Sequence, residues 1–307
     1  MKFVCYKEFD DPLEPAYPGV LHKGKTLPLA RLVAVAEAFH PRGLSVPDSL
    51  PRVLEQLPTY AALVKELVKN KTLDLLWQEV GVTLTAPLPR PPRILAIGRN
   101  YAEHAAELGS EAPSEPIVFQ KASGSVIASG QPIVLPPQVG RVDFEGELAV
   151  VLGMGGRHVR EADALSLVAG YTLLNDVTAR DEQKRAIARA LPWFLSKGYD
   201  TFCPLGPCLV TADEIPDPHA LTLTLAVNGE IKQQASTGDM LFSIPKLIAY
   251  LSEHLMLEPG DIIATGTPPG VGPLAAGDTV EVSIPEIGTL TNPVIGEDEM
   301  FHPVEED

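Results

Sequence analysis

The chain has 307 residues, of which 45% are hydrophobic and 21% charged, so it can bury a sizeable core and is not expected to be disordered. Its 24 basic and 40 acidic residues leave a formal net charge of -16, whereas nucleic-acid binders and peripheral membrane proteins need a basic face, so neither partner is expected. The 30 prolines predict short elements and rigid turns and exclude a coiled coil.

The opening segment, MKFVCYKEFD, has no signal-peptide core, and no apolar run reaches the ~18 residues of a membrane span, so the expected location is the cytoplasm. Cys5, Cys203 and Cys208 are odd in number and lack CxxC spacing, which predicts buried free thiols rather than a disulfide framework or a zinc site. Between Pro47 and Gly81 apolar residues recur at helical spacing, with Leu63, Leu67 and Val68 following Tyr60. Residues 1 to about 90 therefore read as a small α+β unit. Pro87, Pro89, Pro91 and Pro92 then mark a boundary, since each bars its predecessor from helix.

From Ile94 onward short β-rich runs alternate with turn signals. A helix is expected after Asn100, with Asn100 as N-cap, Glu103 completing a capping box and Gly109 past its end. On that helix His104 and Glu107 stand at i and i+3. That spacing suits a carboxylate orienting an imidazole base, and suits a surface ion pair equally. Lys121 in VFQKASGS and Lys197 in LPWFLSKGYD are further cations, either surface residues or partners for an anionic substrate.

Arg141 to Gly153 (RVDFEGELAVVLG) is the most informative stretch. A strand there places Asp143, Glu145 and Glu147 on one face, either as the solvated face of an edge strand or as carboxylates awaiting a cation, because an apolar run follows at once. In Tyr171 to Gln183 (YTLLNDVTARDEQ) an apolar run ends at Asn175 and Asp176. A helix from about Val177 to Ala190 would put Asp176, Arg180 and Gln183 near one face, with Asp176 as N-cap or as a third oxygen ligand. Two Glu and one Asp without His or Cys form a hard donor set suited to Mg²⁺ or Mn²⁺ rather than zinc.

Asn228 and Gly229 between alternating apolar residues predict a tight hairpin, and a helix is expected from about Ile244 to His254. Gly266 to Gly270 (GTPPG) lacks the phosphate-loop and dinucleotide patterns and reads as a turn offering the Thr267 hydroxyl and backbone N–H groups. The acidic tail, residues 296–307, reads as frayed.

Taken together, the segments GRNYAEHAAE (98–107), FQKASGSV (119–126), DFEGELAVVLG (143–153), YTLLNDVTARDEQ (171–183), LPWFLSKGYDTFCPLGP (191–207) and GDIIATGTPPGVG (260–272) resemble the fumarylacetoacetate hydrolase family, especially its acylpyruvase and oxaloacetate decarboxylase-like branch. The resemblance implies an α+β, β-rich fold: a mixed β-sandwich roll over residues 94–295, preceded by the small N-terminal domain, generally in homodimers. It implies Glu145, Glu147 and Asp176 as ligands of a divalent metal, usually Mg²⁺. It implies His104 and Glu107 as the water-activating pair and Lys197 as the catalytic lysine, with Arg180, Gln183, Thr267 and Lys121 at substrate-orienting positions. The expected substrate is a small 2-oxo acid, cleaved by acylpyruvate hydrolysis or oxaloacetate decarboxylation. An isomerase or decarboxylase of 2-hydroxy-dienedioates from aromatic degradation, and a non-catalytic metal-binding member, are the alternatives.

Overall fold

The apolar runs that alternate with turns after Ile94 become strands of three sheets, the largest of which also takes in the N-terminal strands. The computed structural model describes residues 1–8, 14–69, 82–107 and 111–301. Among the described residues the main sheet has eleven strands. Its path runs Lys25–Pro28, Tyr17–His22, Lys2–Lys7, Cys203–Thr211, Val168–Asn175, Gly146–Leu152, Ile262–Ala264, Ile94–Gly98 and Ile117–Lys121. The path does not close into a barrel. A five-stranded sheet (Glu230–Ser236, Thr222–Val227, Thr279–Ile284, Gly288–Gly296, Ile133–Leu135) and a three-stranded one (Thr178–Ala179, Val142–Phe144, Gly272–Pro273) complete a mixed, strand-rich α/β architecture.

The period-2 alternation of the main strands feeds two separate apolar clusters. On the central strand Leu148, Val150 and Leu152 enter one cluster, and Ala149 and Val151 the other. The first is filled from the five-stranded sheet (Leu223, Leu225, Val280, Val282) and from the helix Ile244–His254. The second is filled by Leu29, Leu32 and Val33 of the helix Leu29–Phe39 and by Tyr60, Leu63 and Val64 of the helix Leu57–Lys69. Full burial of each such Leu or Val contributes about 1.5–3 kcal/mol. The N-terminal strand Lys2–Lys7 joins the sheet itself, pairing Lys2 with Val210 and Phe3 with Leu209.

Two predicted elements form as read. The helix Ile244–His254 starts where Ser243 Oγ accepts from Lys246 N at 3.4 Å, with Pro245 in its first turn. Asn228 and Gly229 take φ of 52° and 79°, the left-handed pair that a two-residue hairpin requires, between Thr222–Val227 and Glu230–Ser236.

Four readings are corrected. The strand carrying Glu147 is not an edge strand: it lies between Val168–Asn175 and Ile262–Ala264 with every residue buried. The chain breaks its ladder at Glu145, so Asp143 belongs to the three-stranded sheet instead of sharing one strand with Glu147. Asp176 does not cap a helix. Its N–H donates to Glu145 O at 2.7 Å, Thr178–Ala179 pair with Val142–Asp143, and the helix begins only at Arg180, running to Ala188. Asn100 is not an N-cap either, because its side chain donates to Phe242 O at 3.1 Å and Thr265 O at 2.8 Å and accepts from Phe242 N at 2.8 Å. The helix after it spans Ala102–Glu107; Gly109 and Gly81 lie outside the described residues. Among the helical positions after Tyr60, Leu63 and Leu67 are buried but Val68 is exposed. Of the acidic tail, Glu297–Phe301 form a short helix, and residues 302–307 lie outside the described residues.

Candidate active site and metal centre

Strand register assembles the carboxylates. The ladder sets Gly146 opposite Asn175 and Glu147 opposite Leu174, so Glu145 and Asp176 meet just beyond its end. Glu145, Glu147 and Asp176 are all buried, and one oxygen from each lies within 4.8 Å of the others. Gly146 between them is tightly packed, since a Cβ would stand 3.1 Å from Leu225 and 3.3 Å from Val282 and those methyl groups would have to give. Its amide instead donates to Gln233 Oε1 at 3.0 Å. Gln233 Nε2 donates in turn to Thr267 Oγ1 at 2.8 Å and Pro268 O at 2.7 Å, and Thr267 Oγ1 donates to Gly146 O at 2.9 Å. This closed ring of hydrogen bonds holds the backbone between the two glutamates.

Three buried cations compensate these acids unevenly. Lys197 Nζ donates to Glu145 Oε2 at 2.8 Å and also to Asp176 Oδ2. Lys121 Nζ donates to Asp176 Oδ1 and to Lys197 O, both at 2.6 Å. Arg180 donates to Asp143 Oδ2 at 2.8 Å, to Glu145 Oε1 and to Gln183 Oε1. Asp143, also paired with Arg141, is thereby tied to guanidinium groups and stands outside the triad. Burial pushes Glu145 toward protonation, but Lys197 and Arg180 outweigh it and hold the carboxyl far below its usual range. Lys197 is likewise held above the usual lysine range, since Asp176 and Glu145 overcome its burial.

Glu147 is the exception. It accepts from Gly266 N at 2.8 Å and has no cation partner among the described residues. Burial, with Asp176 and Glu145 as neighbouring anions, pushes its carboxyl well above the usual range. A buried carboxylate that lacks a countercharge beside two others is where a cation relieves the largest electrostatic cost, and three oxygen donors match a hard divalent ion. Asn175 adds an orphan: its Oδ1 accepts from Glu145 N at 2.9 Å, while its buried Nδ2 has no partner. The residues present therefore fit a divalent metal.

His104 faces the same space. The imidazole is buried, and its Nδ1 lies 3.3 Å from Glu107 Oε2. Burial lowers its pKa below the ordinary 6.5 against the pull of Glu145 and Glu107, so the ring is neutral and able to accept a proton. The Glu107 carboxylate also accepts from Gly270 N at 3.1–3.2 Å, which ties the helix Ala102–Glu107 to the glycine turn.

A small cavity of about 30 Å³ is lined by the triad together with His104, Arg180, Gln183, Lys197 and Thr267. Glu107 and Lys121 stand behind it, bonded to His104 and Asp176 respectively, so the fold brings all ten sequence-predicted positions to one place. Sequence reading missed Gln233, a single buried polar residue on an otherwise exposed strand, and the outer wall of Arg99, Phe119 and Trp193. Gln233 carries no local signal, since its partners lie 34 to 87 residues away. Arg99 sits inside the quoted GRNYAEHAAE block, beside residues that were singled out.

Comparison with known proteins gives a consistent result. Residues 93–295 match the family model described as fumarylacetoacetate (FAA) hydrolase, C-terminal. Oxaloacetate tautomerase FAHD2B, mitochondrial, of Homo sapiens is 40% identical over 265 residues, covering 84% of this chain and 82% of that one. The maleylpyruvate hydrolase from Sphingobium sp. SYK-6, solved in complex with manganese(II) ion and pyruvate, is 30% identical with a TM-score of 0.75 and covers 96% of this chain and 99% of its own. The 2-hydroxyhepta-2,4-diene-1,7-dioate isomerase from Mycobacterium marinum is 41% identical with a TM-score of 0.64, covering 72% and 81%.

Proposed function

Because the chain belongs to the fumarylacetoacetate hydrolase family, we propose that it is a Mg²⁺-dependent enzyme, with Mn²⁺ as a substitute, that cleaves a carbon-carbon bond in small 2-oxo acids. The reactions are acylpyruvate hydrolysis, oxaloacetate decarboxylation or both. One observation carries this reading: three oxygen ligands, a neutral histidine and a buried lysine line a single cavity. Glu145, Glu147 and Asp176 hold the metal, which when bound supplies a Lewis acid for the negative charge that develops on the 2-oxo oxygen. Glu107 engages Nδ1 of His104 and leaves Nε2 to take the proton from water as it attacks the distal carbonyl. Lys197 donates to the oxyanion so formed. Breaking the bond to C3 then gives a carboxylic acid and, after C3 takes up a proton, pyruvate. Arg180, Gln183 and Thr267 orient the substrate, and Lys121 positions Asp176.

A second reading keeps the same residues but breaks no carbon-carbon bond. Tautomerisation or isomerisation, including that of 2-hydroxy-dienedioates, is supported by the human and M. marinum relatives; His104 then moves a proton at carbon instead of at water. We assign catalysis to residues 94–295 folded as a mixed β-sandwich roll, with residues 1–90 as a smaller α+β domain, in a cytoplasmic homodimer. No helix among the described residues is long and apolar enough to cross a membrane. A screen of 2-oxo acids with and without EDTA tests the reading. Chelator-sensitive turnover restored by Mg²⁺ supports it, and full turnover by metal-free protein overturns it. Light scattering during size exclusion tests the dimer.

A further inference from the structure

Among the described residues, the cavity is lined by the cations Arg99, Arg180 and Lys197. Arg180 is engaged by Asp143 and Glu145, and Lys197 by Glu145 and Asp176. Arg99 has no carboxylate partner among the described residues. Its guanidinium carbon lies 5.9 Å from the ring centre of Trp193. Trp193 lies 5.5 Å from Phe119, and the Phe119 ring lies 5.0 Å from Lys197 Nζ. Two aromatic rings thus separate the committed cation at the carboxylate cluster from the uncommitted one.

The backbone at Arg99 is held in an unfavourable form. Its φ is 56°, in the left-handed region that L-residues other than Asn and Asp avoid. The next residue, Asn100, is locked by three side-chain hydrogen bonds to Phe242 and Thr265, so the turn cannot relax locally. Glycine would satisfy this backbone at lower cost; what arginine adds is a guanidinium. The wall beside it is equally fixed. A Cβ on Gly98 would stand 2.8 Å from Trp193, so the indole lies directly against the strand end.

We infer that Arg99 is a specificity residue that selects 2-oxo acids carrying a second carboxylate. The inference rests on the 2-oxo acid reading above and adds to it the residue that distinguishes a diacid such as oxaloacetate from a monoacid. The chelating end meets the inner carboxylate cluster, the middle of the molecule lies along Phe119 and Trp193, and the distal carboxylate meets the guanidinium fork, whose geometry suits two parallel hydrogen bonds. A local cation is needed because the rest of this acidic chain repels a dianion.

The test is calorimetric binding to the Mn²⁺-loaded full chain. The probes are the pairs 2-oxoglutarate against 2-oxopentanoate and 2-oxoadipate against 2-oxohexanoate. Each pair differs by a distal carboxylate in place of a methyl group, and none has the 4-oxo group that cleavage needs. Wild-type protein is expected to prefer the diacid in at least one pair. Arg99→Gln should cut that preference about 10- to 100-fold, as loss of a charge-assisted hydrogen bond does, and Arg99→Lys should keep part of it. Binding of no probe by the wild type overturns the 2-oxo acid reading and this inference together. Monoacid binding without a diacid preference, or a preference that survives Arg99→Gln, overturns the inference alone. Equal losses for both members of a pair mark a structural role and also overturn it.

Discussion

The strands Gly146–Leu152 and Val168–Asn175 lie side by side and are buried along their whole length, yet their two ends obey different chemistry. At one end Val150 pairs with Tyr171 and Ile263, and backbone pairing and apolar packing hold the segment without any charge. At the other, Glu145 and Asp176 are equally buried and stand because Lys121, Lys197 and Arg180 surround them, whereas the buried Glu147 has no cation partner among the described residues. The contrast teaches that depth in this sheet does not decide polarity. Charge compensation does, and it is incomplete only at Glu147.

The largest effect separates two ligands that look equivalent. Asp176→Ala strands the buried ammonium of Lys121 and takes one of its two carboxylates from Lys197, so we expect a stability loss of about 3–5 kcal/mol together with loss of activity. Glu147→Gln removes a carboxylate with no cation partner. Metal affinity should collapse while stability in EDTA changes by less than about 1 kcal/mol, because no buried charge is abandoned. Urea unfolding in EDTA and Mn²⁺ titration read the two quantities. Equal destabilisation by both substitutions would remove the asymmetry on which the comparison rests.

Next in size is His104→Ala, which should slow acylpyruvate hydrolysis by about 10² to 10⁴, the usual worth of a general base. Oxaloacetate decarboxylation, which needs no attacking water, should fall much less. Initial rates on both substrates decide this, and equal losses would make the histidine an organiser of the site. At the apolar end Val150→Ala should lower stability by about 2 kcal/mol, from ~0.8 kcal/mol per lost buried CH₂ and the cavity left behind, with activity per folded molecule retained.

The smallest effect is on pH. Burial depresses the His104 pKa, so the neutral base persists below pH 6.5, and the acidic limb of kcat/KM should fall below that value. Glu107 acts in the opposite sense and raises the imidazole pKa. Glu107→Gln should therefore move the limb further down, by about one pH unit or less. Movement upward would contradict the assigned contact.

What could be read from the sequence was local or carried by an ordered set of motifs. The Asn228 and Gly229 turn and the helix Ile244–His254 follow from short-range preferences, and the six blocks named the residues that now share one cavity. Element type failed where a long-range bond won. Asn100 has the sequence of a cap, but its amide bridges to Phe242 and Thr265, 142 and 165 residues away. Asp176 precedes a helix, but Glu145 claims its N–H and delays the helix to Arg180. Gln233 was invisible for the same reason, since nothing in EIKQQAS distinguishes it from Gln234 until the facing sheet is in place.

The N-terminal strand bears on how separable the parts of the chain are. Lys2–Lys7 pairs with Tyr17–His22 along one edge and with Cys203–Thr211 and Thr83–Thr85 along the other, and the helices behind it share an apolar layer with Ala96, Ala149, Ala169 and Ala264, among others. A break in the peptide chain between Pro87 and Arg93 would leave that layer and that ladder intact. The two pieces should behave as complementing fragments that copurify when made separately, each covering a face that the other would otherwise expose to water.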